Sequence, residues 1–345
     1  MEFLYEYGLF IAKAVTIVVA ILLVVGGIIA LASKQKPGKG HLEISSLTDK
    51  LESVTEFARG ELLDKDELKQ FHKEQKKALK AKKKEQKNNE TDESQNGQLF
   101  VIDFSGSMDA HEVDYLREEI TAILCVAKKE DEVLIRLESG GGVVHGYGLA
   151  ASQLQRIKDK GIKLTISVDK VAASGGYMMA CVADQVLAAK FAIIGSIGVI
   201  AQLPNFNKLL KKSNIDFEQH TAGEFKRTLT MFGENSDQGR EKFKAELEDV
   251  HHMFKDFVQS QRPELDIGQV ATGEYWYGIK AKDLGLVDTI QTSDDYILAA
   301  NEDKKIFTVK YSMKKSLPER LGLAASISVE SLLMKLWGKS EMNFR

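Results

Sequence analysis

Short apolar runs typical of β-strands alternate with helical patterns in the middle of the chain. The strand-like runs cover Leu99–Phe104, Val133–Leu137, Leu164–Val168, Gln185–Ala189 and Ile197–Ala201. The longer helical patterns between and after them cover Val113–Ala127, Tyr147–Lys158 and Asp237–Gln261. Strands that alternate with helices in this way usually form a parallel sheet covered by helices. The sequence therefore predicts an α/β domain with a mostly parallel sheet.

An apolar stretch near the N-terminus carries no charged residue from Ala14 to Ser33. Its length is about what a helix needs to cross the hydrocarbon core of a membrane. A cleavable signal peptide is the alternative, because Ala30-Leu31-Ala32 resembles a cleavage site. The run is long for a signal core, however, and two acids precede it with Lys13 as the only basic residue. We therefore expect residues 1–33 to be a retained transmembrane anchor.

A polar segment, residues 34–97, is expected to connect this anchor to the globular part. From Lys65 to Lys87 it holds ten lysines and four acids among good helix formers, which indicates a charged helical connector. By the positive-inside rule, the lysines that directly follow the apolar stretch favour a cytoplasmic globular part. Because these lysines are few, the side of the membrane on which the globular part lies stays open. Residues 301–345 are expected to be an extension with an amphipathic helix near Ser328–Trp337.

The overall composition argues against several classes of protein. A formal net charge of −3 argues against a nucleic-acid-binding protein. Two cysteines, Cys125 and Cys181, are too few for a disulfide framework. The sequence also lacks the GxGxxG and P-loop patterns of nucleotide sites. We accordingly expect neither a cofactor nor a bound metal.

One serine, Ser174, stands among small residues between a strand-like run and a helical pattern. Small neighbours allow the backbone to turn sharply and leave the serine side chain uncovered. A serine at such a turn meets free N–H groups at the start of the helix, which suits a nucleophile and the oxyanion it creates. The ordinary alternative is a serine that only caps the helix.

A serine nucleophile needs a base, and none of the seven histidines stands in an obvious triad context. Lysine is the other known partner, provided that apolar cover or a nearby cation keeps its amine neutral. Lys226 fits this demand locally, because Phe225 and Leu229 could cover it and Arg227 could repel its charge. With 47 lysines and arginines in the chain, an ordinary exposed lysine is the alternative.

A glycine loop, Ser139–Val143, follows the strand-like run that ends at Leu137. Its three glycines could bring backbone N–H groups close to a reacting carbonyl. They could equally hold a phosphate or form a plain flexible turn.

Together these pieces resemble the Ser-Lys peptidases of the signal peptide peptidase A family. The marks are the glycine loop, the serine turn Val171–Tyr177 and the segment Gly223–Arg227, in that order and with a similar separation. The resemblance covers most of residues 98–300, and the anchor and lysine-rich connector fit the membrane-anchored branch of the family. It implies a Clp/crotonase-like peptidase domain over 98–300 with serine endopeptidase activity.

The resemblance also implies a role for each marked residue. Ser174 would attack the scissile carbonyl, and neutral Lys226 would take its proton and later protonate the leaving amine. The N–H groups of Gly175 and of Gly141 or Gly142 would hold the oxyanion. The family often has Ser-Pro-Gly-Gly where this chain has Ser-Gly-Gly-Gly, so the loop loses a rigid residue and the donating glycine is left open.

Partners and location follow from the same resemblance. Family members form rings or domes, which implies a homo-oligomer with Ser174 and Lys226 from one chain or from adjacent subunits. The substrates would be extended peptides such as signal-peptide or membrane-protein fragments. The location would be the bacterial inner membrane, with lipid contacts through the N-terminal helix.

Three alternative functions stay open: a metal-dependent binding module, an acyl-CoA enzyme and a catalytically silent membrane scaffold. Asp103, Ser105 and Ser107 follow a strand-like run and resemble the Mg²⁺ loop of von Willebrand A-type domains, which would make the chain a binding module. The Clp/crotonase kinship also allows an acyl-CoA enzyme, which would leave Ser174 and Lys226 unused.

Overall fold

The computed structural model describes residues 7–13, 15–20, 40–64, 66–67, 71, 73 and 97–313. Most of the predicted anchor, nearly all of the lysine-rich connector between 65 and 96, and the helix expected near Ser328–Trp337 lie outside the described residues. Residues 7–13 and 15–20 are helical. No helix within the described residues has both the length and the apolar character needed to span a membrane.

The chain divides into two compact units. One groups Met1–His41 with Tyr311–Arg345, and it contains a close approach of Tyr311 to the backbone of Gly40. The other, Leu42–Lys310, holds nearly all of the sheet and the helices described below.

The strands have the following bounds: β1 His41–Ser46, β2 Leu99–Gly106, β3 Glu132–Ser139, β4 Lys163–Val168, β5 Val171–Ala173, β6 Gln185–Ala188, β7 Ile193–Gly195, β8 Tyr275–Tyr277, β9 Thr289–Ile290 and β10 Ile306–Ser312. The main sheet has the order β1-β10-β2-β3-β4-β6-β9. Pairs from β10 to β9 along this order are parallel. A short second row starts where β5 pairs with the end of β3, continues through β7, and ends in the antiparallel pair β7–β8.

The helices have the following bounds: α1 Leu47–Leu62, α2 Val113–Val126, α3 Val144–Asp159, α4 Gly175–Ala180, α5 Asn207–Lys212, α6 Asp237–Gln261, α7 Ile267–Val270, α8 Gly278–Asp283 and α9 Ser293–Ala300. Side-chain caps fix the start of several of them, because the cap oxygen accepts an otherwise unpaired N–H. Ser236 Oγ accepts from the Gly239 N–H at 3.1 Å, and Ser46 Oγ accepts from the Asp49 N–H at 3.1 Å.

The two faces of the sheet are covered differently. Alternate residues of β2 and β3, such as Phe104 and Leu137, join a large core with α2, α3, α4 and part of α6. The opposite face has a smaller core of Leu99, Val101, Leu134, Ile297 and Ile306, covered by α1 and α9. Ser139 continues the alternation of Leu137 and therefore faces α3.

The mixed α/β fold with a mostly parallel sheet is confirmed and is consistent with a Clp/crotonase-like domain. Most of the apolar residues from Tyr177 to Ile197 are buried in the large core. The strand expected at Ile197–Ala201 was wrong: the strand is β7, which ends at Gly195. Positive φ angles at Gly195 (101°) and Ser196 (52°) turn the chain away from an extended path directly after it.

Candidate active site

Ser174 occupies a strained turn between β5 and α4. Its φ of 51° and ψ of −118° are unfavourable for a residue with a Cβ, so the surrounding structure must hold them. The Ser174 N–H donates to the Gly195 carbonyl at 2.8 Å, and its carbonyl accepts from Met178 at 3.0 Å. Its side chain makes no capping hydrogen bond to α4, so the interpretation as an ordinary helix cap does not apply. The half-buried hydroxyl is left available for chemistry.

The glycine loop packs directly against this turn. Gly141 has a φ of 87°, and a Cβ there would lie 2.7 Å from the Gly175 nitrogen and 2.8 Å from Ser174 Cβ. A Cβ at Gly142 would collide with the Met108 carbonyl. Both positions therefore require glycine for close approach, and Gly141 does so also through its left-handed conformation. The structure thus brings Gly141, Gly142, Ser174 and Gly175 together.

The N–H groups of the loop are not equivalent. The Gly141 N–H donates to Ser139 Oγ at 3.1 Å, and the Val143 N–H donates to the Met108 carbonyl at 2.9 Å. Within the part of the chain that the structure describes, no hydrogen bond uses the Gly142 N–H. Gly142 also lines the pocket of Ser174 and Gly175. This arrangement favours Gly142 over Gly141 as the second donor to an oxyanion.

A small, mostly apolar pocket opens beside Ser174. Its lining includes Val144 and Met178 on one side and Val199 on the loop after β7. Val250 and Phe254 complete it from α6. Sequence reasoning missed these two α6 residues, because an apolar position on an amphipathic helix carries no mark that distinguishes a pocket wall from ordinary core.

Lys226 lies in the long connection between α5 and α6. Its side chain is exposed and lines a separate surface pocket together with Phe217, His220 and Thr230. The apolar cover expected from Phe225 does not form within one chain, since that ring is 43% exposed and lies 5.6 Å from Lys242 Nζ. None of the described residues around the Ser174 pocket comes from this connection. Within a single chain, Lys226 and Ser174 therefore line different pockets.

The residues of the alternative metal loop have protein partners. Asp103 accepts two hydrogen bonds from the Arg136 guanidinium, at 2.5 and 2.9 Å, and this pairing raises the pKa of Arg136. The Ser107 hydroxyl lies 2.6 Å from an Asp109 carboxylate oxygen and 2.8 Å from one of Glu112. Ser105 is exposed on β2. Among the described residues there is no group of three or more His, Cys, Asp or Glu side chains placed to hold a metal ion.

Comparison with known proteins identifies the family. The model for the N-terminal part of peptidase family S49 matches residues 2–154, and the model for peptidase family S49 matches residues 156–307. The chain belongs to peptidase family S49. The N-terminal match contains the glycine loop, and the second match contains the Ser174 turn and Lys226.

Proteases described as SohB are similar to most or all of the chain. The probable protease SohB of Haemophilus influenzae is 50% identical over 348 residues, covering 99% of each chain. The probable protease SohB of Buchnera aphidicola subsp. Acyrthosiphon pisum is 57% identical over 240 residues, covering 70% of this chain and 71% of its own. A solved structure described as a mutant of the 1510-N membrane-bound stomatin-specific protease covers 59% of this chain and 84% of its own, at 14% identity and a TM-score of 0.39.

The prediction of a peptidase is therefore confirmed at the level of family and reaction class. The chain is a SohB-like S49 peptidase and thus a hydrolase. The binding module around Asp103 and the acyl-CoA enzyme lose their support, since neither is a peptidase.

Proposed function

We propose that this S49 peptidase is a serine endopeptidase with Ser174 as nucleophile and Lys226 of a neighbouring subunit as general base. The conformation of Ser174 carries the proposal. Its turn is strained, its hydroxyl is not used for capping, and it shares a pocket with two glycines whose N–H groups can meet an oxyanion. Glycine would adopt this turn with less strain, so backbone conformation and packing alone do not explain a serine at this position.

The proposed reaction has two steps. The neutral amine of Lys226 takes the Ser174 proton while Oγ bonds to the scissile carbonyl carbon, and the carbonyl electrons move to its oxygen. The Gly175 and Gly142 N–H groups stabilise that oxyanion. Lys226 then protonates the leaving amine as the C–N bond breaks, which leaves an ester on Ser174. A water molecule, deprotonated by the same amine, hydrolyses the ester and restores both residues.

A neighbouring subunit is proposed because one chain leaves the Lys226 side of the site incomplete. A lysine is neutral near physiological pH only with apolar cover or a nearby cation, and the single chain leaves the Lys226 side chain exposed, without that cover. Residues 200–235 also expose many large apolar side chains, which a second copy would cover. They are Ile200, Leu203, Phe206, Leu209, Ile215, Phe217, Phe225, Met231 and Phe232.

We further propose that residues 14–33 anchor the peptidase in the bacterial inner membrane and that its substrates are extended peptides, including membrane-derived fragments. The support for the anchor is the uncharged length of this stretch. The support for apolar peptides is the lining of the Ser174 pocket, where Val144, Met178 and Phe254 contribute side chains. A reporter enzyme fused to the C-terminus would reveal the side of the membrane.

The nucleophile is tested by covalent labelling. A fluorophosphonate should label Ser174 in the assembled protein, and Ser174→Ala should abolish both the labelling and the cleavage of fluorogenic peptides. Ser152→Ala provides a matched control, because Ser152 is an exposed serine on α3 whose hydroxyl donates to the Gly148 carbonyl. Cleavage that persists in Ser174→Ala at the wild-type rate would overturn the proposal.

A further inference from the structure

Tyr147 is a fully buried tyrosine in the first turn of α3, and it contacts both sides of the proposed oxyanion site. Its ring lies beneath the Ser174 turn, so that a Cβ at Gly175 would collide with it. Its hydroxyl lies on the other side, at the base of the glycine loop. One rigid side chain therefore touches the supports of both proposed N–H donors.

The hydroxyl of Tyr147 takes part in a chain of hydrogen bonds with a single direction. It donates to the Ser107 carbonyl at 2.8 Å, so it can only accept from the Ser139 hydroxyl, which is its other partner. Ser139 Oγ in turn accepts the Gly141 N–H at 3.1 Å. Each donor and acceptor in this chain is used once. Because Ser139 and Tyr147 are buried, loss of one member leaves another without a partner.

Gly106, which has no role in the proposed reaction, leaves space for these hydrogen bonds. Gly106 ends β2 opposite Ser139, and a Cβ there would press on the Tyr147 hydroxyl and on Ser139 Oγ. The Tyr147 hydroxyl therefore lies where the ends of β2 and β3 meet the start of α3.

We propose that Tyr147 is a positioning residue that fixes the Gly142 and Gly175 N–H groups relative to each other, with Ser139 as its link to the glycine loop. This inference rests on the proposed function, since it assumes an oxyanion formed at Ser174. The glycine loop has Gly140 where the family often has proline. A loop without proline has more freedom, and a hydrogen-bonded tether from Ser139 through Tyr147 restricts it.

The tether acts on the transition state more than on substrate binding. The oxyanion needs both N–H groups at hydrogen-bond distance, whereas the bound substrate carbonyl does not. Loss of one complete oxyanion donor costs about 10²–10³-fold in kcat, so a donor that is displaced but still present should cost about tenfold. KM should stay within about twofold.

The experiment compares Tyr147→Phe and Ser139→Ala with wild-type protein in the assembled, full-length form. Both variants should lower kcat about tenfold, and the double variant should be no slower than either single one, because they break the same chain of hydrogen bonds. A peptide aldehyde provides a second readout, since Ser174 adds to its carbonyl and creates an oxyanion-like oxygen. Its affinity should fall by the same factor as kcat/KM.

Tyr296→Phe is the matched control. The Tyr296 hydroxyl donates to Glu132 beside the smaller core, on the face of the sheet opposite α3. Its loss should lower the melting temperature while kcat and aldehyde affinity stay at wild-type values. An equal loss of kcat in Tyr296→Phe would mean that Tyr147 acts only through general stability, and the inference would fail.

Ser174→Ala separates this inference from the proposed function. If Ser174→Ala is inactive while Tyr147→Phe keeps wild-type kcat, Ser174 remains the nucleophile and the role of Tyr147 is refuted. If Ser174→Ala retains full activity, the proposed function fails and the role of Tyr147 fails with it. A loss in Tyr147→Phe that appears wholly in KM would also refute the positioning role.

Discussion

The two halves of the proposed catalytic apparatus differ in how much of their geometry one chain provides. Around Ser174, the backbone is held by buried hydrogen bonds, close glycine contacts and a fully buried tyrosine. Around Lys226, residues 200–235 contain one short helix, α5, and expose most of their large apolar side chains. The Ser174 side, proposed to hold the nucleophile, is therefore preorganised by the fold, whereas the Lys226 side, proposed to hold the base, is left exposed by a single chain.

Mixed assemblies provide the sharpest test of this difference. Ser174→Ala and Lys226→Ala should each abolish peptide cleavage when assembled alone. Co-assembled in equal amounts, they should regain roughly a quarter of wild-type activity, because a site that draws Ser174 and Lys226 from adjacent subunits is intact at random in one case of four. A dyad within one chain would regain nothing. Activity measured after co-expression with two different affinity tags, and purification through both, distinguishes the two.

Lys226→Arg is the control for charge in the same assemblies. Arginine keeps the cation but cannot give up its proton, so it should be as inactive as alanine. Substantial activity in Lys226→Arg would show that position 226 supplies only positive charge.

The glycine loop allows a matched pair of substitutions on the preorganised side. Gly141→Ala should lower kcat at least about 100-fold, because its Cβ would push on the Gly175 nitrogen and its φ of 87° disfavours a side chain. Gly140→Ala, one position earlier, should cost little, since a Cβ there meets nothing within 4 Å. Steady-state kinetics and melting temperatures of both variants separate a misplaced donor from unfolding.

The kcat values of Gly140→Ala and Gly141→Ala also test whether the region around Ser174 is more rigid than the region around Lys226. Equal kcat losses at positions 140 and 141 would mean that the loop is mobile and that contact with Ser174 is not maintained. The nucleophile side would then be no better preorganised than the Lys226 side.

Local patterns in the sequence were sufficient for much of the fold and part of the site. Short apolar runs predicted β2, β3, β4 and β6 within one or two residues of their observed bounds, because most residues of each strand are buried. Small residues around Ser174 predicted the sharp turn, since only they permit it. Ile197–Ala201 misled, because an apolar run does not reveal that Ser196 adopts a positive φ.

The supports of the site could not be predicted in the same way. Ser139 and Tyr147 meet only because β3 and α3 pack together, and Phe254 reaches the Ser174 pocket from a helix about eighty residues further on. Long-range contacts of this kind have no local signature in a single sequence. The proposed pairing of Lys226 with Ser174 of a neighbouring subunit could not be predicted from any pattern within one chain either.

The smallest expected effect is on the stability of the sheet at acid pH, which should affect the strand leading to the Ser174 site and not residues 200–235. Glu132 begins β3, the strand that ends at Ser139, and its side chain is 2% exposed. Burial alone would raise its pKa, but hydrogen bonds from Lys304, Tyr296, Thr165 and Lys163 outweigh burial and lower the pKa to about 2. A pKa below the unfolded value of 4.5 means that the charged form stabilises the fold.

This contribution is fully present above pH 4.5 and is lost as the pH falls toward 2, by up to about 3 kcal/mol of unfolding free energy. Glu132→Gln cannot titrate, so its unfolding free energy should vary less with pH over that range while being lower than wild type at pH 7, where the lysines lose their partner. Unfolding with denaturant at a series of pH values measures both effects.

Limited proteolysis within residues 200–235 should be unchanged by Glu132→Gln at pH 7, because the conformation of that exposed segment should not depend on β3. Increased cleavage there would show that the two regions are coupled through the sheet, and that the base side is less independent of the framework than one chain suggests.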